Sequence, residues 1–133
     1  MAMTVVEDDD DARQILLQIF QFAGATVTTC AHAYAALDTL NGGLHPDIIV
    51  SDLALPRMDG LTFMQAVRSH SDPITQRTPI IAITAHYELY GPEELLKLGC
   101  QAYMVKPLSL DRVCSAVRKL VGAQHKRILK QAG

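Results

Sequence analysis

Two short stretches, residues 47–52 (DIIVSD) and 79–84 (PIIAIT), are apolar at consecutive positions rather than alternate ones. A strand with one wet face alternates, whereas a strand apolar along its length is covered on both faces. Neither run approaches the roughly 18–20 residues of a membrane span. Other elements must therefore cover both faces, and helices on either side of a parallel sheet do this most simply. Pro79 fits the start of its run, because the first residue of a strand tolerates loss of an N–H.

The rest of the chain supplies those elements. MTVV (3–6), ATVTT (25–29) and AYMV (102–105) are three more short apolar or β-branched runs. Between the five strands lie five helical segments. Asp9 or Asp10 is placed to cap the first, in which Ala12, Ile15, Leu16, Ile19, Phe22 and Ala23 recur at helical spacing and Gly24 marks the end. His32 to Leu40 form the second, ended by Asn41-Gly42-Gly43. Gly60 to Ser69 form the third, with Phe63, Met64 and Val67 on one side. The fourth opens at Gly91-Pro92-Glu93-Glu94 and ends at Gly99, and Gly91-Pro92 should keep it short. Ser109 caps the last, whose core face reads Leu110, Val113, Val117 and Leu120. The expected fold class is α/β: a doubly wound five-stranded parallel sheet with helices on both faces.

At 133 residues, this is one domain. Met1-Ala2-Met3 reads as a start residue followed by a cloning scar. A net charge of -2 provides no field to attract nucleic acid or an anionic membrane, so partners must be read from sites. There is no signal-peptide h-region, and a cytoplasmic location is expected. Cys30, Cys100 and Cys114 are odd in number and lack C-x-x-C spacing, so reduced thiols are expected.

Five polar residues fall at strand C-termini, the edge where ligands bind in such sheets. Glu7 and Asp8 follow the first strand, Asp52 ends the third, Thr84 ends the fourth and Lys106 follows the fifth. Taken singly, each is an ordinary loop acid, turn former, strand filler or exposed lysine. Together they converge on one crevice. Mg²⁺ takes one or two carboxylates plus waters or phosphoryl oxygens, which Glu7, Asp8 and Asp52 would suit. A carboxylate can attack phosphorus if the charge repulsion is relieved, and a cation with a lysine relieves it. Asp52 is the best nucleophile by its central place, with Thr84 as hydrogen-bond donor and Lys106 as ammonium. The run at 7–11 (EDDDD) then splits: Glu7 and Asp8 toward metal, Asp9 to Asp11 toward the helix start.

VVEDD (5–9), DIIVSDLALPRMDG (47–60), PIIAITA (79–85) and AYMVKP (102–107), in this order and at close to the same spacing, resemble the receiver domains of two-component response regulators. The resemblance implies a flavodoxin-like strand order 2-1-3-4-5, a receiver domain over 1–122 and a basic C-terminal tail or linker stub over 123–133. It implies Asp52 as phosphoacceptor, and Glu7, Asp8, Asp52 and the Ala54 backbone carbonyl as Mg²⁺ ligands. Thr84 and Tyr103 would be the switch pair, Lys106 the phosphoryl-binding lysine, and Lys106-Pro107 a candidate cis bond. Gly60 would permit a tight turn. Two positions flank the phosphoryl site: Ala54 cannot act through its side chain, and His86 reads as a loop histidine before a residue that holds or blocks the attacking water.

The implied partners are a histidine kinase or phosphotransfer protein and a downstream protein or output domain, with a homodimer possible. The surface of the fourth helix, fifth strand and last helix would switch. The chain would be no enzyme beyond promoting its own phosphorylation and dephosphorylation. Three other readings compete. A Mg²⁺-dependent phosphatase with an Asp nucleophile usually has a second Asp where Ala54 stands. A phosphorylation-independent interaction module would not need Asp52, Thr84 and Lys106 together. A receiver segment of a hybrid histidine kinase would share every residue above.

Overall fold

A computed structural model of the chain describes residues 1–85, 91–119 and 122. In chain order the elements are β1 (Ala2–Val6), α1 (Asp10–Phe22), β2 (Thr26–Cys30), α2 (Ala33–Asn41), β3 (Ile48–Asp52), α3 (Gly60–Arg68), α4 (Pro73–Gln76), β4 (Ile80–Thr84), α5 (Pro92–Lys97) and β5 (Ala102–Val105). A last helix, α6, runs over 110–119. The five strands are all parallel, in the order β2-β1-β3-β4-β5. This is the doubly wound, flavodoxin-like order expected from the sequence.

The period-2 alternation of each strand feeds two separate cores. Met3, Val5, Ile48, Val50, Ile81 and Ile83 face α1 and α6, meeting Leu16, Phe20, Val113 and Val117. Val6, Ile49, Ile80 and Ala82 point the other way, toward Phe63, Met64, Val67 and Leu95. Ile80 to Ile83 are all buried. Each isoleucine there contributes roughly 1.5–3 kcal/mol of transfer free energy. Their burial on both sides explains why neither central run alternates in sequence.

The ends of the helices follow local rules. Asp9 is the N-cap of α1, accepting from the Ala12 N–H, and Asp10 and Asp11 fill the first turn. Asp59 caps α3 through the Thr62 N–H. Ser109 lies before α6 with its Oγ 3.5 Å from the Arg112 N–H. Gly91 is the N-cap of α5, which is six residues long, as its Gly-Pro start predicts.

Several sequence expectations need correction. Met3 is core and Ala2 is in register with Thr26, its N–H donating to Asp47 Oδ2 at 2.7 Å. Ala2 and Met3 are therefore part of β1 and its packing. In α1 the buried residues are Leu16 and Phe20, while Ile15 and Phe22 are exposed. Apolar residues cover more than half of this helix's circumference, so spacing alone cannot choose the inward face. Leu110 is exposed at the first turn of α6, although Val113 and Val117 pack inward as expected. Leu120 lies outside the described residues. The loop at 69–79 contains α4, opened by Asp72 as N-cap and Pro73 at its first turn. Four residues are too few to show a helical period. The three cysteines are free thiols. No helix among the described residues is long and apolar enough to cross a membrane.

Candidate functional site

Strand register brings the polar residues to one edge. Val6 pairs with Ser51, Asp52 with Ile83 and Thr84 with Val105, so Glu7, Asp52, Thr84 and Lys106 emerge at nearly one level. The Glu7 N–H donates to the Cys30 carbonyl, and the Lys106 N–H donates to the Thr84 carbonyl at 2.9 Å. The backbone of both flanking residues is thus fixed to the sheet beyond the last strand pair.

Two of the acids are buried. The Glu7 side chain is 1% exposed and that of Asp52 is 5% exposed. Lys106 Nζ bridges them, 3.1 Å from Glu7 Oε2 and 2.6 Å from Asp52 Oδ2. The remaining oxygens take backbone donors: Asp9 N–H to Glu7 Oε1 at 3.2 Å and Ala54 N–H to Asp52 Oδ1 at 2.9 Å. Asp8 is exposed, but one oxygen each of Glu7, Asp8 and Asp52 lies within 4.8 Å of the others. Thr84 is buried on the same edge. The Lys106-Pro107 peptide bond is cis, as the sequence suggested. Tyr103 is half-buried, packed against the core beneath α3 and α5. His86 lies outside the described residues, as does the tail over 123–133.

The electrostatics show one ammonium among an excess of carboxylates. Burial pushes the Glu7 carboxyl above its ordinary value, and the nearby Asp52 charge pushes it further. Lys106 pulls the other way without prevailing. Burial lowers Lys106 itself, but hydrogen bonds to Asp52 and Glu7 outweigh it, and the ammonium is held above its usual range. A buried carboxylate pair with one lysine still carries uncompensated negative charge. A small oxygen-seeking cation fits this donor set in charge, ligand type and closeness of the oxygens.

Sequence reading missed the residues that hold the site in shape. Arg13 Nη1 donates to the Glu7 carbonyl at 3.0 Å, fixing the acidic loop from α1. Arg57, five residues past Asp52, has φ +68, and around it the Met58 N–H donates to the Pro56 carbonyl at 2.8 Å. This tight, left-handed turn is strained for a side-chain-bearing residue. Gly60 is needed for close approach, not for the turn expected of it. A Cβ there would sit 2.5 Å from the Asp52 carbonyl oxygen and 2.6 Å from Leu53 Cα. Only a glycine lets the start of α3 dock against the end of β3, where its N–H donates to the Leu53 carbonyl.

Known proteins share this fold. The regulatory protein AtoC of Escherichia coli K12 is 32% identical over 120 residues, which are 90% of this chain and 25% of AtoC. The chain therefore spans about a quarter of that regulator. The chemotaxis response regulator CheY4 of Vibrio cholerae superposes with a TM-score of 0.79 at 28% identity, covering 90% of this chain and 97% of that one. The receiver domain of the sensor histidine kinase PA1611 from Pseudomonas aeruginosa superposes at 0.82 with 25% identity, covering 91% and 97%. That structure has a magnesium ion coordinated in its active site cleft. The sequence model of the response regulator receiver domain matches residues 3–118, and with the fold and the strand-end site it shows that this chain belongs to that family, the receiver domains of two-component signalling.

Proposed function

We propose that Asp52 accepts a phosphoryl group from a histidine kinase or phosphotransfer protein. The observation that carries this is the state of the Asp52 carboxylate. It is buried, with one oxygen on an ammonium and the other on a backbone N–H, beside two further acids. In the transfer, a carboxylate oxygen forms a bond to phosphorus as the phosphorus–nitrogen bond of the donor phosphohistidine breaks. The imidazole leaves with the electron pair and is protonated. Glu7, Asp8, Asp52 and the Ala54 carbonyl are the residues that would hold Mg²⁺, which supplies charge neutralisation for the phosphoryl oxygens when bound. Lys106 moves its Nζ from Asp52 to a phosphoryl oxygen, which it can do without leaving Glu7.

Thr84 and Tyr103 form the proposed relay. Thr84 would donate its hydroxyl to a phosphoryl oxygen, and Tyr103, on the neighbouring strand, would bury its exposed part as Thr84 moves. The face of α5, β5 and α6 would then present a different surface to a downstream protein or output domain.

The test is intact mass after incubation with Mg²⁺ and acetyl phosphate. One phosphoryl adduct, dependent on Mg²⁺ and absent from Asp52→Asn, supports the reading. Neither adduct nor donor turnover in the wild-type protein would refute it, leaving phosphorylation-independent docking as the better account.

A further inference from the structure

Asp8 differs from the other two acids of the site in how its carboxylate is held. Glu7 and Asp52 are buried, and each is bonded to Lys106 and to a backbone N–H. Asp8 is exposed, and its side chain has no hydrogen-bond partner among the described residues. One of its oxygens nevertheless lies within 4.8 Å of oxygens of Glu7 and Asp52. That placement depends on the backbone that carries Asp8.

The backbone leaves the sheet just before this point. The last β1–β2 pair is Val6 with Cys30, and the Glu7 N–H still reaches the Cys30 carbonyl at 3.0 Å. The Glu7 carbonyl lies beyond the ladder, in the peptide that leads into Asp8. Its one donor among the described residues is Arg13 Nη1 at 3.0 Å. A peptide unit is planar, so fixing the Glu7 carbonyl also fixes the Asp8 Cα. Arg13 is anchored in turn: its N–H donates to the Asp9 carbonyl at 2.9 Å, and Nη2 pairs with Asp10 Oδ1. One rigid, planar guanidinium thus bonds the peptide before Asp8 and the carboxylate two residues after it.

The kind of cation makes this bracket matter. Mg²⁺ demands a near-ideal octahedron of oxygens, whereas Ca²⁺ accepts a flexible set. A carboxylate aimed only through its backbone suits Mg²⁺ if that backbone is held. Charge acts with the opposite sign, because a guanidinium beside the acids repels Mg²⁺ and Ca²⁺ alike. Removing Arg13 therefore separates aim from charge.

We propose that Arg13 is a positioning residue of the cation site: by holding the Glu7–Asp8 peptide it aims the Asp8 carboxylate and gives the site its preference for Mg²⁺ over Ca²⁺. This rests on Glu7, Asp8 and Asp52 being the Mg²⁺ ligands, as proposed above.

Calorimetric titration of the metal-free full chain with Mg²⁺ and with Ca²⁺, without phosphodonor, tests this. Arg13→Met should weaken Mg²⁺ binding by about tenfold, as loss of a group that orients a metal ligand does. Ca²⁺ binding should weaken by no more than about twofold, because its geometry is tolerant. Arg13→Lys keeps the charge and one donor but not the fork. It should show the same bias to a smaller extent, and it keeps the test decisive should the Met variant fold poorly. Thermal unfolding without metal reports that the fold is kept. Equal weakening of both ions in Arg13→Met would mean a general loosening of the loop and overturn the proposal. Tightening of both would leave Arg13 only its charge and overturn it as well. Unchanged binding beside a weakened Asp8→Asn would overturn it while the acid set stands. A wild-type protein that binds no Mg²⁺, or an Asp8→Asn variant that binds it as tightly as wild type, would remove the acid set itself and the proposal with it.

Discussion

Lys106 Nζ lies 2.6 Å from Asp52 Oδ2, although 54 residues separate the two in the chain. The lysine is also the only cation paired with the buried carboxylate of Glu7 among the described residues. Substitutions at the two positions should therefore act on stability in opposite directions. Lys106→Ala leaves two buried carboxylates without their ammonium and should cost about 1–2 kcal/mol, less than a fully buried pair because the lysine is partly exposed. Asp52→Asn removes one charge from an acid-rich cluster and relieves the repulsion on Glu7, so it should be neutral or stabilising. Urea unfolding in metal-free buffer separates them. A destabilised Asn variant would contradict this account of the charge balance. Phosphoryl uptake from acetyl phosphate should fall by roughly 10²-fold in Lys106→Ala and vanish in Asp52→Asn.

Mg²⁺ should raise the thermal unfolding midpoint of the wild-type protein. A ligand that binds only the folded state stabilises it by RT ln(1 + [L]/Kd), about 2.7 kcal/mol at a hundredfold excess over Kd. The shift should shrink in Glu7→Gln and Asp8→Asn, whose carboxylates lie in the cluster with Asp52. A midpoint that ignores Mg²⁺, or a shift equal in all three proteins, would remove this acid set as the binding site.

Gly60 makes no contact with the reacting groups, yet its backbone supports them. Adding a Cβ would press on the Asp52 carbonyl at 2.5 Å and on Leu53 Cα at 2.6 Å, both backbone atoms that cannot swing away. Gly60→Ala should destabilise the fold by about 1–3 kcal/mol and slow phosphoryl uptake as the end of β3 shifts. Unchanged stability would mean that α3 can retreat without disturbing the strand.

The strand-end residues were legible because each is tied to a pattern that precedes it. Asp52 closes a run apolar on both faces, and Thr84 closes another. Lys106 follows AYMV, and Glu7 and Asp8 follow MTVV, so counting strands was enough to place them on one edge. Asp9 was legible as a cap by its position before a helix. The orientation of α1 was not, because Phe20 and Phe22 are both apolar and only the packed sheet chooses between them. Arg68 left no signal at all. A lone arginine ending a helix reads as a dipole partner, and its long-range acceptors are invisible until the chain is folded.

Folded, Arg68 is a clamp on the opposite edge from the acids. Its Nε and Nη2 donate to the Gly99 carbonyl at 2.9 and 2.6 Å. Its Nη1 reaches the carbonyls of Gln76 and Thr78, and Nη2 also reaches Gln101 Oε1. One side chain thus ties α3 to the end of α4, the end of α5 and the approach to β5. Burial lowers the guanidinium pKa from its ordinary value, yet it stays charged at any working pH. Arg68→Leu should cost about 2–4 kcal/mol, because the partly buried carbonyls lose their donors. Arg68→Lys should recover only part of this, having no planar fork. Gly99→Ala should show a related loss, since its φ is +108 and the new Cβ would lie 2.9 Å from Arg68 Cγ. Denaturant unfolding of the three variants checks the ranking, and a Leu variant as stable as wild type would reduce Arg68 to a surface charge.

Asp72 should give the fold a modest acid dependence. His45 Nε2 is 2.5 Å from Asp72 Oδ2, and Asp72 Oδ1 accepts from the Ile74 N–H. The hydrogen bond with His45, then that from Ile74, hold the carboxyl below its ordinary value of 3.8. A carboxyl depressed in the folded state adds stability that is present above its unfolded pKa and disappears as pH falls through the folded one. Asp72→Asn keeps an acceptor for the cap of α4 but loses the charge. The variant should therefore be slightly less stable than wild type at neutral pH, and the two should converge as pH drops below 3.8. Paired unfolding curves between neutral and acid pH measure the gap. A gap that stays constant would assign it to the shape of the cap, and one that widens toward acid would reverse the sign argued for the carboxyl.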